Sequence, residues 1–180
     1  MVGLVVAAIV AAGVLGAHWS QQVYVAWLVS QLHSGVCEET YDAKWRLVEI
    51  GEQAVPALIR CLDDEQLEVR VIAMDALGEI GEAAAAAAPA LGPHLGDPDP
   101  YVRHRAALAL GRVGQRQPAI ATLVSLLEHE DHFAAALAAE GLGELGEWET
   151  ARPALTKLLN DDDPNARGLA ERVLSEHPQS

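Results

Sequence analysis

Val69-Arg-Val-Ile-Ala-Met-Asp-Ala-Leu-Gly-Glu-Ile-Gly81 and Val102-Arg-His-Arg-Ala-Ala-Leu-Ala-Leu-Gly-Arg-Val-Gly114 carry one pattern twice, 33 residues apart. A recurrence of that length marks a stack of small helical units, none of which can bury its apolar face alone. In the first copy Val69, Ala73, Ala76, Leu77 and Ile80 fall on one stripe of a helix. Val102, Ala106, Ala109, Leu110 and Val113 repeat that stripe in the second. Its Ala and Gly content lets neighbouring helices approach closely.

The register extends in both directions. Gly51, Gly81, Gly114 and Gly146 are spaced by 30, 33 and 32 residues. Glycine provides the left-handed backbone that ends a helix, so each reads as a stop between paired helices. Pro56, Pro89, Ala121 and Pro153 hold a second equivalent position, and the prolines suit a first helical turn, where a missing N–H is harmless. A third marker is an aspartate six places before an arginine: Asp64 and Arg70, Asp97 and Arg103, Asp161 and Arg167. These six residues are expected to form a hydrogen-bonded ladder between successive turns, with a stabilising role. Acidic runs such as Asp97-Pro-Asp-Pro100 and Asp161-Asp-Asp163 read as solvated turns whose carboxylates cap the next helix.

Ala54-Val-Pro-Ala-Leu-Ile59, followed by Asp64, Val69-Arg70, Ala73 and Ala76-Leu-Gly-Glu-Ile-Gly81, resembles the HEAT-repeat family, in particular its PBS-lyase HEAT-like repeats. The resemblance spans roughly residues 39 to 178. It implies an all-α, right-handed solenoid of about four to five antiparallel helix pairs with a binding groove, and it does not imply lyase activity. The chain departs from the pattern where Ala135 and His129 replace the expected arginine and aspartate, and where Leu174-Ser175 replaces the leucine-glycine ending, as in a capping repeat.

Composition agrees with helices: aromatic residues are only 4% and no alternating β-branched run suggests a strand. The first 37 residues contain no Lys, Arg, Asp or Glu, and Val2 to Ala17 is unbroken apolar or Gly. Such a run is about 24 Å of helix, short of the roughly 30 Å hydrocarbon core. Continued through Val23-Tyr-Val-Ala-Trp-Leu-Val29, one helix from Val2 to about Leu32 would span a membrane and emerge through Trp19, Tyr24 and Trp27 as an interfacial aromatic belt. The expected division is therefore a transmembrane helix with a juxtamembrane extension over 1–37 and a repeat domain over 38–180. A cleaved signal peptide and a buried helix are the alternatives, although the run lacks a basic start and any polar face.

Lys44 and Arg46, the first basic residues, favour a cytoplasmic repeat domain, whereas the tendency of bacterial N-terminal apolar segments to export the rest of their chain favours the periplasm. The latter is adopted, with the former open. A bridge between Cys37 and Cys61 suits antiparallel helices in an exported chain, and two unpaired thiols suit either side. Twelve basic and 26 acidic residues leave a net charge of −14. That balance opposes nucleic acid, which needs a basic patch to neutralise phosphate.

Glu128-His-Glu-Asp-His132 groups five metal-capable side chains. Its His129-Glu130 step is similar to the pairs of di-iron deoxyhypusine hydroxylases, but those need several pairs facing each other, and adjacent residues diverge around a turn. No phosphate loop, nucleophile elbow or Cys-x-x-Cys is present, so no catalytic, metal or cofactor site is assigned. What remains is a surface. If the second helices of the pairs line the groove, Asp75, Leu108, Glu140 and Arg172 form one exposed row, and Glu79, Arg112, Glu144 and Glu176 form the next. Gly78, Gly111 and Gly143 between them leave room for a partner. The function expected is a membrane-tethered adaptor or accessory subunit that binds protein. The alternatives are an enzyme on the same scaffold (chromophore lyase-like or a metal-dependent hydroxylase) and a secreted binding solenoid.

Overall fold

The computed structural model describes residues 17–177, with side chains from Gln21 onward. Among the described residues, all regular structure is helical and falls into five consecutive pairs. The first pair is α1 (Ala17–Gln31) and α2 (Cys37–Ile50). A 3-10 turn over Gly51–Ala54 runs into α3 (Val55–Cys61), which pairs with α4 (Leu67–Ile80). In the third pair α5 (Ala88–Leu91) is a short helix between 3-10 segments Gly81–Ala87 and Gly92–Gly96, and α6 (Pro100–Arg112) completes it. The last two pairs are α7 (Arg116–Leu126) with α8 (His132–Glu144), and α9 (Trp148–Leu158) with α10 (Pro164–Glu176).

The second helices, α2, α4, α6, α8 and α10, pack each against the next, and the first helices cover their other side. Leu47, Leu77, Leu110 and Leu142 hold one register position in successive pairs and are all buried. They form part of a core that runs along the stack, as expected where each unit needs its neighbour. Gly51, Gly81, Gly114 and Gly146 all have positive φ, between 68° and 98°, the backbone that only glycine takes without strain. Pro56 and Pro89 stand in the first turns of α3 and α5. Pro153 does not: α9 starts earlier, at Trp148, and carries it internally.

The turns are built locally. Asp99, Asp131 and Asp163 cap α6, α8 and α10, each accepting the N–H two residues on. Two residues earlier in each cycle, Asp64, Asp97 and Asp161 accept from the N–H of Gln66, Asp99 and Asp163. In the fourth pair His129 substitutes for that aspartate, its Nδ1 accepting the N–H of Asp131 at 3.1 Å. Arg70 donates to the carbonyls of Asp64 and Glu65, Arg103 to those of Asp97 and Pro98, and Arg167 to that of Asp161. The arginines thus close their own turns rather than forming rungs between turns. The rungs come from histidines that the repeat pattern does not mark: His33 meets Asp64, and His132 meets Asp161, both at 2.8 Å.

The N-terminal division needs correction. Val25, Leu28 and Leu32 of α1 are buried in the same core as Leu47 and Leu58, so α1 is the first helix of the solenoid and the repeat domain begins well before residue 38. Tyr24 and Trp27 stack on each other, with ring centroids 5.8 Å apart. Both pack half-buried against that core. Among the described residues no helix is long and apolar enough to cross a membrane. Residues 2–16 of the apolar run, and the side chain of Trp19, lie outside the described residues.

Candidate interaction surface

The second helices carry most of the side chains expected to meet a partner, and the structure engages them with each other. Arg112 reaches Glu79 of the preceding pair at 2.9 Å and Glu144 of the following pair at 2.6 Å. Arg172 reaches back to Glu140 at 2.7 Å and along its own helix to Glu176 at 3.5 Å. Asp75 is bound by Arg105 at 3.3 Å. Arg105 also donates to the Tyr101 hydroxyl at 2.8 Å, with its guanidinium 4.9 Å from the centre of that ring. Partial burial pushes the Asp75 carboxyl above its usual range, against the pull of Arg105 and Lys44. Burial also works against the Arg105 charge, but Asp75 and Tyr101 outweigh it and leave its pKa raised. Each such pair near the surface is worth only about 0–1 kcal/mol. Their consequence is electrostatic: along the middle of this face each carboxylate is engaged by one of the chain's own arginines, three arginines serving five carboxylates.

Two expectations about this face are overturned. Leu108 is 6% exposed, not part of an open row, because Gly141 of α8 lets it tuck between the helices. A Cβ added at residue 141 would lie 3.1 Å from Leu108 Cδ2. The space at Gly78, Gly111 and Gly143 is likewise filled from within. Added Cβ atoms there would meet the Ala109 backbone at 3.2 Å, the Leu145 side chain at 2.7 Å and the Trp148 ring at 2.7 Å. These glycines bring neighbouring helices of this chain together, so they offer no room to a partner.

That reading gives a paired prediction. Gly143→Ala gains about 1 kcal/mol of helix propensity but must displace a large planar ring, an overpacking of about 1–3 kcal/mol. The variant is expected to be less stable than wild type by about 1 kcal/mol. Gly168→Ala, on α10 with nothing within 4 Å, should instead be stabilised by about 0.5–1 kcal/mol. Urea denaturation of both variants checks this. Equal shifts of one sign would show that Trp148 does not hold the site.

Arg105 and His104 were absent from the expected site, though the register marks them. Arg105 occupies the position held by Ile72 and Leu137 in the neighbouring pairs, and His104 that held by Val71 and Ala136. A polar residue where both neighbouring pairs carry an apolar one was the readable signal. His104 is 2% exposed and neither ring nitrogen has a hydrogen-bond partner.

The acidic and histidine-rich segment Glu128–His132 does not converge. His129 accepts within the turn, Asp131 caps α8 and His132 faces Asp161. No group of three or more metal-capable side chains occurs among the described residues. Cys37 is exposed and Cys61 buried, both as free thiols, and burial pushes the Cys61 thiol up.

Two HEAT-repeat family models match the chain, one over residues 54–84 and the other over residues 88–175. The chain is a HEAT-repeat protein. Such repeats generally mediate protein–protein interaction. No curated protein matches this HEAT-repeat chain. Among solved structures, the stack resembles the complex of CpcE and CpcF of phycocyanin lyase from Nostoc, with a TM-score of 0.63 and 21% identity over 84% of this chain and 98% of the other. At that identity the likeness is one of fold. An engineered protein aligns over 84% of this chain and 78% of its own, at 24% identity and a TM-score of 0.46.

Proposed function

We propose that the protein is a non-enzymatic interaction module: an adaptor or accessory subunit whose HEAT stack binds another protein and whose apolar N-terminal segment holds it at a membrane. One observation carries this reading. A continuous layer of second helices ends at α2 in exposed apolar side chains, among them Tyr41 at 61% and Trp45 at 38% exposure. Tyr41 and Trp45 lie edge to face with ring centroids 5.9 Å apart, and adjoining apolar side chains left in water are where contact surfaces form. The tether rests on composition alone, on the uncharged run of residues 2–16 ahead of the packed α1. The extracytoplasmic side remains the proposed location of the repeats.

The test is purification of the full-length protein from gently solubilised native membranes. A partner retained in stoichiometric amount is expected, and a chain that emerges alone and monomeric overturns the reading. Alkaline extraction of the same membranes should leave the protein in the pellet. Val10→Arg, at about 2.5–3.5 kcal/mol for a charge at the centre of a span, should release it. A second reading is favoured by the fold shared with the Nostoc complex: a lyase subunit that acts with another chain. It requires activity in a phycocyanin lyase assay once a second subunit is supplied.

A further inference from the structure

Tyr41, Val71, His104 and Ala136 hold one register position in four successive second helices. Val71, His104 and Ala136 are at most 9% exposed and fill the space between one second helix and the next. Tyr41 is turned out to solvent. At the first step of the stack the equivalent space is left open, as a cleft of about 580 Å³ between the N-terminal halves of α2 and α4. Leu32, Cys37, Tyr41 and Ile72 line it, with Lys44 and Glu68 at its edges. Val36, which precedes α2, and Trp45 on its outer side extend the apolar surface.

Charge distinguishes this end of the face from its middle. Asp75, Glu79, Glu140 and Glu144 are each met by an arginine. At the cleft Glu68, which lines it, and Glu38, next in the chain to its lining Cys37, form no ion pair among the described residues. Lys44 lies over the rings of Trp45 and Tyr41, at 4.3 and 5.4 Å from their centres. These two carboxylates stand unpaired on a chain of net charge −14. A second copy of the chain would bring like charge to this site, and so would an anionic membrane or a nucleic acid.

We propose that this cleft is the docking site for a basic, amphipathic segment of the partner protein. An aliphatic side chain of that segment enters between Tyr41 and Ile72, and its Lys or Arg groups meet Glu38 and Glu68. The proposal rests on the interaction reading above and names where and by what chemistry the partner binds. Apolar anchors in a cleft with a charged rim are the usual division between affinity and orientation.

The test uses the full-length protein and a labelled amphipathic peptide of leucine and lysine, with its leucine–glutamate counterpart as control. Fluorescence anisotropy should report binding of the lysine peptide, weakened by salt, and none of the glutamate peptide. The double variant Tyr41→Ala/Trp45→Ala should lose about tenfold or more in affinity with its thermal midpoint unchanged, since both side chains are exposed. Glu68→Lys should weaken binding in the same direction, and Phe133→Ala, exposed elsewhere on the stack, should not. Equal binding by the double variant overturns the proposal. So does equal binding of the glutamate peptide, or a dimer in light scattering that the double variant dissociates. Co-purification separates the two readings. A native partner retained by wild type and double variant alike refutes this site but not the interaction module, whereas no partner on wild type refutes both.

Discussion

Lowering the pH from 7 to 4 is expected to remove about 3 kcal/mol of folding stability through His104 alone. Burial, then the neighbouring Arg105 charge, holds the imidazole pKa down at about 3, against an ordinary value of 6.5. The Leu137 carbonyl opposes this, too poorly placed to count as a hydrogen bond. A folded pKa below the unfolded one means that the unfolded chain takes up the proton first. The stability linked to His104 is therefore complete above about pH 6.5 and falls away as the pH drops toward 3. Denaturant titrations of wild type and His104→Leu across that range isolate the effect, because titrating carboxylates are common to both. The variant should be close to wild type at pH 7, since an apolar side chain replaces two unpartnered nitrogens, and more stable than wild type at pH 4. Parallel pH profiles would show that the folded protein can solvate the imidazolium.

Leu77→Ala is expected to destabilise the protein by about 3 kcal/mol, within the 2–5 kcal/mol seen for truncated core leucines. Leu77 is fully buried on α4, and α4 packs between α2 and α6. The stack is held by nearest-neighbour interfaces, so a weakened second pair also loosens its coupling to the first. A lower urea midpoint with a smaller m-value would report that the pairs have begun to unfold separately. Val124→Ala, at a residue 41% exposed, should stay within about 0.5 kcal/mol of wild type. A comparable loss at both sites would show that Leu77 does not sit in a shared core.

By itself the sequence determined what depends on local spacing: the period, the helix stripes, the glycine stops and the aspartate caps. Those signals act within one turn or one helix, where the interacting atoms are neighbours in the chain. The aspartate–arginine pairs were legible as structural for the same reason, although each arginine closes its own turn. Only the tertiary structure decided which side chains of the face remain available. Arg112 meets Glu79 and Glu144 across 33 and 32 residues, and that pairing depends on how closely successive second helices approach. Gly78 and Gly141 let those helices approach, through contacts to Ala109 and Leu108. Gly78, Gly111 and Gly143, which read in the sequence as vacant space, are in the fold contacts to Ala109, Leu145 and Trp148. The same holds for α1. Its uncharged sequence suits a lipid or a protein environment equally, because both reward apolar side chains. Burial of Val25, Leu28 and Leu32 beside Leu47 assigned it to the solenoid.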